Sequence, residues 1–212
     1  ADALLQSASE KLRNKNYHGA LEDLNLAVGA DPQSAKAHLS RGWVKSALKD
    51  PMGALEDYTK AIELEPRNAQ TFSLRAWLKA AQGDPQGAEA DFTRSITLNP
   101  ADAETYKNRG LLRKKQRDFQ GAIEDFTACL QVLPEDAAAL HQRGLARHRT
   151  GDHGRAIEDF SQVLRIRPRD PDVSYNRGNA YVARGDLAAA ERDLEHSDAL
   201  SPKQKCVVRW AE

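Results

Sequence analysis

Few residues of the 212-residue chain have the types and spacing that catalysis or metal binding requires. His141 and His148 are the best candidates for metal ligands, since both are expected to project from one helix. Their separation in the sequence corresponds to about 10 Å along a helix, which is too far to share one ion. The sequence has no glycine-rich phosphate loop, no G-x-S-x-G elbow and no C-x-x-C pair. We therefore predict no catalytic residues, no metal and no cofactor.

Regularly spaced basic residues are a second candidate for a functional site. Arginine recurs at one fixed interval, and a basic residue or tyrosine lies one helical turn after each arginine. The first series is Arg41, Arg75, Arg109, Arg143 and Arg177, and the second is Lys45, Lys79, Arg113, Arg147 and Tyr181. Like charges at this helical spacing repel, but aspartate recurs with the same period, at Asp23, Asp57, Asp91, Asp125, Asp159 and Asp193. We predict Arg–Asp pairs between packed helices. The alternative is an exposed basic track for an acidic or nucleic-acid ligand.

Apolar residues recur with the same period, which is the interval from Arg41 to Arg75. Alanine occurs at Ala20, Ala54, Ala88, Ala122, Ala156 and Ala190, and a large residue follows at Leu24, Tyr58, Phe92, Phe126, Phe160 and Leu194. Proline occurs at Pro32, Pro66, Pro100, Pro134, Pro168 and Pro202. A fixed period of this length indicates one supersecondary unit stacked on copies of itself.

Local signals predict two helices in each unit, the first ones covering, for example, residues 36–48 and 104–116. A small residue lies in the middle of each first helix, at Ala8, Gly42, Ala76, Gly110, Gly144 and Gly178, and permits close packing. The second helices are expected to begin at the N-cap residues Asn16, Asp50, Asp84, Asp118, Asp152 and Asp186. Gly83, Gly151 and Gly185 are placed to end the preceding helices.

With this period and these positions, the chain resembles the tetratricopeptide repeat family. The resemblance covers six repeats, 1–34, 35–68, 69–102, 103–136, 137–170 and 171–204. It implies an all-α fold, a right-handed superhelical solenoid of antiparallel helix pairs whose first helices line a concave groove. Members of the family bind segments of other proteins in this groove. We expect residues 205–212 to begin a C-terminal capping helix, with Val207, Val208 and Trp210 covering the last repeat.

The positions that face the groove in the family vary between the repeats of this chain. Trp43, Trp77, Leu111 and Leu145 share one position and predict an apolar strip, although the tryptophans could instead pack on neighbouring helices. A second groove position predicts an incomplete row of amide side chains, surrounded by cations, at Gln6, Asn108, Gln142 and Asn176. The predicted peptide-binding residues are Ser40, Trp43, Trp77, Lys107, Asn108, Leu111, Lys114, His141, Gln142, Leu145, His148, Tyr175, Asn176 and Asn179.

The overall composition limits the class of partner. Thirty-one basic and thirty-one acidic residues cancel, so the usual electrostatic argument for nucleic-acid binding is missing. We predict a non-catalytic scaffold that binds a protein or peptide partner, apolar near Trp43 and Trp77 and acidic near Lys107. The alternatives are an adaptor region of a larger multidomain protein or enzyme, and an RNA-binding helical-repeat protein. Self-association is also left open.

Cysteine content and hydropathy give the expected compartment. Cys129 and Cys206 are too few for a disulfide framework, and no apolar run reaches the length of a membrane span. Cys129 is expected to be a small buried apolar residue. The sequence begins at Ala1 without methionine, which fits a segment of a longer protein or a mature chain that has lost a signal peptide. We favour the cytoplasm, with a secreted or periplasmic chain as the alternative.

Overall fold

The computed structural model describes residues 1–201 of the chain. In this part the protein is all-α, and short turns join its twelve helices. They are α1 (Asp2–Arg13), α2 (Tyr17–Ala30), α3 (Ala35–Ala47), α4 (Pro51–Leu64), α5 (Ala69–Ala81), α6 (Pro85–Leu98), α7 (Ala103–Lys115), α8 (Phe119–Val132), α9 (Ala137–Arg149), α10 (His153–Ile166), α11 (Pro171–Arg184) and α12 (Leu187–Leu200). The predicted all-α class is confirmed, whereas the capping helix predicted over 205–212 lies outside the described residues.

The chain forms two compact units. Residues 1–101 hold α1–α6, and the second unit begins at Asp102 and holds α7–α12. In each unit consecutive helices form pairs, and each pair packs on the next. The pairs are antiparallel, as predicted. The end of α6 meets the start of α5, where Ser95 Oγ donates to the Ala69 carbonyl at 2.9 Å, and the end of α3 meets the start of α4, where Lys45 Nζ donates to the Gly53 carbonyl at 3.4 Å.

Side-chain caps begin the second helix of every pair. Asp50 Oδ1, for example, accepts a hydrogen bond from Gly53 N at 3.0 Å, which satisfies one of the N–H groups that lack a helical partner. The equivalent acceptors are Asn16, Asp84, Asp118, Asp152 and Asp186. The predicted caps are therefore confirmed, and they fix where α2, α4, α6, α8, α10 and α12 start.

The turn between the helices of a pair needs a left-handed backbone one residue before the cap. Gly83, Gly151 and Gly185 adopt it with φ of 84°, 85° and 88°, so the predicted C′ glycines are confirmed. The other three repeats place a basic side chain in this conformation, at Lys15, Lys49 and Arg117, with φ of 57°, 64° and 67°. These positions are less favourable for a residue with a Cβ atom.

Close packing between the two helices of a pair explains the small residue in each first helix. The ring of Phe160 is completely buried against Gly144, and a Cβ atom on Gly144 would lie only 2.7 Å from its Cε1. Tyr58 meets Gly42 and Phe126 meets Gly110 in the same way. The predicted period of small and large residues is thus the period of the buried contact.

Gly144→Val is expected to lower the free energy of unfolding by about 1.5 kcal/mol, because the added side chain forces Phe160 from a fully buried position. Gly154→Val is the matched control, since a Cβ atom on Gly154 would meet nothing within 4 Å. Urea unfolding of both variants measures the difference. Equal stability of the two variants would contradict this account of the packing.

Candidate functional site

The regularly spaced arginines lie between the two helices of their own repeats. Arg143 Nη2 is 2.7 Å from Asp159 Oδ1, and its Nε donates to Oδ2 at 3.1 Å. The other pairs, at 2.6–2.8 Å, are Arg41–Asp57, Arg75–Asp91, Arg109–Asp125 and Arg177–Asp193. The arginine side chains are 12–23% exposed and the aspartates 1–10%. The predicted Arg–Asp pairing is confirmed, and the arginines do not form an exposed track.

The second basic series shares the same aspartates. Arg147 Nη1 lies 2.8 Å from Asp159 Oδ2, and three further contacts of 2.8–3.1 Å are Lys45–Asp57, Lys79–Asp91 and Arg113–Asp125. Each of these aspartates therefore lies between two cations, which offsets the repulsion expected between them. Tyr181 replaces the second cation in the last repeat, and the Arg177 guanidinium lies 6.0 Å from the centre of its ring.

The cations keep the buried carboxylates of Asp57 and Asp91 ionised. Burial raises the pKa of Asp57, but hydrogen bonds from Arg41, Lys45 and His38 outweigh it and leave the pKa below its ordinary value. The pKa of Asp91 is lowered in the same way, because hydrogen bonds from its arginine and lysine outweigh the effect of burial. At neutral pH Asp57 and Asp91 are therefore ionised and paired with cations. These ion pairs have a structural role within the repeat.

The arginines also contact the preceding repeat, which the sequence analysis missed. Arg143 Nη1 donates to Thr127 Oγ1 at 3.3 Å, and Arg177 Nη1 donates to Ser161 Oγ at 3.0 Å. In the first unit the corresponding contacts are Arg41–Asn25 at 3.3 Å and Arg75–Thr59 at 3.2 Å. A short polar side chain two residues after the aspartate of the preceding repeat was the available sequence signal. The arginines thus join neighbouring repeats as well as the helices of one repeat.

In the first unit, the first helices of the repeats line a cleft of about 510 Å³ around Trp43. The Trp43 side chain is 42% exposed, and its ring centre lies 6.1 Å from that of Tyr17. The remaining lining residues are Leu12 of α1, Lys36, Leu39 and Ser40 of α3, and Gln70 and Leu74 of α5. The cleft therefore combines the Trp43 indole, which has Tyr17 on one side, with three leucines and three polar groups.

The environment of the cleft includes a second tryptophan and a polar neighbour. Trp77 is 55% exposed on α5, one helical turn after Leu74. On the α1 side, an adjoining cleft of about 390 Å³ is lined by Asp2, Leu5, Gln6, Ser9, Glu10, Arg13 and Lys36. Apolar surface is thus concentrated near Trp43, with charged groups of both signs beside it.

The second unit exposes less apolar surface at the positions equivalent to the tryptophans. Leu111 is 38% exposed, while Leu145 packs partly against the core. Tyr175 is 37% exposed on α11, and Asn108 and Asn179 are partly buried. Leu145 also lines a cleft of about 500 Å³, together with Lys114, Lys115, Arg117, Phe119 and Arg149.

The lysine predicted to bind a ligand acid already has partners in this structure. Lys107 Nζ lies 2.8 Å from Glu104 Oε2 and 2.9 Å from Asp136 Oδ2. Burial lowers the pKa of Lys107, but these carboxylates outweigh it and raise the pKa overall. A ligand acid would therefore have to compete with two carboxylates at Lys107.

The predicted amide row is partly occupied by contacts between first helices. Gln142 Oε1 accepts a hydrogen bond from Lys114 Nζ, and burial lowers the pKa of Lys114. Asn176 Nδ2 lies 3.0 Å from His141 Nε2. Burial also lowers the pKa of His141 below its ordinary value, so the ring is neutral at pH 7 and its Nε2 can accept from Asn176. His141 therefore adds no positive charge to the surface at this pH.

His148 contacts a second histidine that the sequence analysis did not single out. Its Nδ1 lies 3.1 Å from Nδ1 of His153, at the turn between α9 and α10. Burial, followed by the charges of His153 and Arg149, lowers the pKa of His148. The spacing of His148 and His153 across the predicted turn was the sequence signal that could have indicated this contact. In the described part of the chain, no group of three or more His, Cys, Asp or Glu side chains is placed to hold a metal.

Two further expectations concern burial and the membrane. Cys129 is fully buried, and burial raises the pKa of its thiol to about 11, so the expected role as a small core residue is confirmed. Among the described helices, none has the length and apolar character needed to cross a membrane.

Comparison with protein-family models identifies the repeat. Models described as tetratricopeptide repeat match residues 42–103, 74–141 and 171–204, and a model described as TPR repeat matches residues 144–185. Together the four matches extend over most of the chain. No curated protein matches the sequence.

Solved structures share the fold. YrrB, described as a TPR protein with an unusual peptide-binding site, has a TM-score of 0.79 at 18% identity, covering 85% of this chain and 93% of its own. PilF of Pseudomonas aeruginosa has a TM-score of 0.78 at 20% identity over 95% and 92% of the two chains. A tetratricopeptide repeat protein of Parabacteroides merdae has a TM-score of 0.76 at 22% identity over 94% and 79%. At these identities the similarity establishes the fold.

Proposed function

Since the chain belongs to the tetratricopeptide repeat family, we propose that it is a non-catalytic scaffold that binds an extended segment of a partner protein against its first helices. The fold is that of a protein-interaction scaffold. The observation that carries the proposal is the cleft around Trp43, because a partly exposed tryptophan among aliphatic side chains is typical of a binding hot spot.

The chemistry of the cleft defines its ligand. Leu12, Leu39 and Leu74 surround the indole of Trp43 with apolar surface, which suits a large aliphatic or aromatic side chain. Ser40 and Gln70 can hydrogen-bond the backbone of an extended peptide whatever its sequence. Lys36 adds one positive charge at the rim. The proposed ligand is thus an extended segment with an apolar anchor residue.

Support for a peptide rather than RNA comes from the position of the arginines. Five of the basic residues that could have formed a track along the repeats are paired with buried aspartates. The apolar cleft of the first unit also offers little to a phosphate backbone. Recognition by the chain on behalf of a catalytic domain elsewhere in a longer protein is compatible with the same cleft.

Selection from a phage-displayed library of random peptides tests the proposal. We expect the enriched peptides to share a large apolar residue, and to bind the purified protein in a 1:1 complex measured by calorimetry. Among the selected peptides that carry no acidic residue, addition of one should prevent the others from binding, since they use one cleft. Enrichment of no such sequence, or non-acidic peptides that bind without mutual competition, would count against the Trp43 cleft.

A further inference from the structure

A cluster of positive charge lies in the second unit, at the cleft of about 500 Å³ lined by Lys114, Lys115, Arg117, Phe119, Leu145 and Arg149. Four of these six side chains are cations and two are apolar. None of them is acidic. We infer that this cleft is a second binding site, specific for an acidic peptide segment that carries an apolar anchor residue.

The cations of this cleft differ from the arginines that hold the repeats together. Lys115, Arg117 and Arg149 are exposed, and no carboxylate of the described residues forms an ion pair with them. Asp118, which follows Arg117 in the sequence, is engaged elsewhere, because it caps α8 through Gly121 N and lies 4.0 Å from Arg113. The cleft therefore keeps an uncompensated positive charge.

The fourth cation is partly buried. Lys114 Nζ donates to the side-chain carbonyl oxygen of Gln142, a neutral group, and burial lowers the pKa of Lys114. A carboxylate entering the cleft would supply the opposite charge that this ammonium lacks. Charge-assisted hydrogen bonds of this kind are stronger than those between neutral groups.

The apolar part of the cleft favours a peptide over a nucleic acid. Phe119 and Leu145 are both partly buried and provide a floor for one aromatic or aliphatic side chain. Acidic residues on either side of that anchor would then meet the surrounding cations. Recognition of acidic motifs by clustered basic side chains is a recurrent mode of peptide binding.

Arg117 has a structural counterpart in the second repeat, outside this cleft. It adopts φ of 67°, at a turn position where three other repeats have glycine. Lys49 occupies the equivalent position in the second repeat with φ of 64°, and it is exposed in the first unit, outside this cleft. Lys49 is therefore a matched control for the contribution of Arg117.

The experiment uses the full chain and the peptide Glu-Glu-Phe-Glu-Glu-amide with fluorescein on its N-terminal amine, and binding is followed by fluorescence anisotropy. We expect saturable binding that weakens as salt is added. Arg117→Ala and Arg149→Ala should each weaken it by about fivefold, as expected for the loss of one charged contact. Lys49→Ala should leave it unchanged. Circular dichroism of each variant verifies the fold.

Three results would overturn the inference. They are equal binding of the corresponding glutamine peptide, equal weakening by Lys49→Ala, and tighter binding of an eight-nucleotide oligouridylate with the same dependence on Arg117 and Arg149. The last result would identify a nucleic-acid site.

The inference rests on the proposed scaffold function, but the two can fail separately. Trp43→Ala should leave the affinity for the acidic peptide unchanged, because Trp43 lies in the first unit. If the protein does not bind the acidic peptide but binds the selected apolar peptides, only the second site is rejected. The opposite result rejects only the Trp43 cleft.

Discussion

Replacement of Asp159 by asparagine is expected to lower the free energy of unfolding by about 3 kcal/mol. The carboxylate is 1% exposed and lies 2.7 Å from Arg143 and 2.8 Å from Arg147. Asparagine keeps the size of the side chain but removes its charge, which leaves two partly buried guanidinium groups without an anion. The loss of one partner from a buried ion pair has a cost of this size.

Chemical denaturation of the full chain measures this effect. Glu158→Gln is the matched control, since Glu158 is the exposed neighbour of Asp159 on the same helix and should cost less than about 0.5 kcal/mol. Arg143→Ala should cost about 2 kcal/mol, because Arg147 still compensates Asp159. Equal stability of Asp159→Asn and Glu158→Gln would show that the Arg–Asp pairs do not hold the repeats together.

The sequence predicted the fold from features that recur along the chain. The caps of the second helices, the small residue opposite a large one, and the Arg–Asp pairs all share one period because the packing has that period. A contact that is made in each repeat leaves its signature in each repeat. These elements could therefore be assigned without knowledge of the structure.

The candidate site could be predicted only in part, because its contacts occur once. Lys107 was identified as a cation facing the groove, but the carboxylates of Glu104 and Asp136 beside it are specific to that repeat. The contact between His148 and His153 crosses a turn, and its geometry depends on the rotamers of both rings. Position in the repeat predicts which face a side chain lies on, whereas its partners depend on neighbours that differ between repeats.

Trp43→Ala is expected to weaken binding of a selected peptide by about 30-fold, or about 2 kcal/mol, without lowering the stability of the fold. The indole is 42% exposed in the free protein, so its removal affects the core little. Leu26→Ala is the control, since Leu26 is 61% exposed on the second helix of the first repeat, away from the cleft lining. Calorimetric titration of both variants gives the comparison. Similar affinities of the two variants would show that the peptide binds at another surface.

The central claim is that a partner segment lies on the indole of Trp43, and the fluorescence of that residue tests it most directly. The Trp77→Phe, Trp210→Phe variant retains Trp43 as its one tryptophan. Titration with a selected peptide that lacks tryptophan should shift the emission to shorter wavelength, because the ligand excludes water from the ring. The shift should saturate with the Kd that calorimetry gives. Saturable binding in calorimetry with an unchanged Trp43 spectrum would contradict the claim.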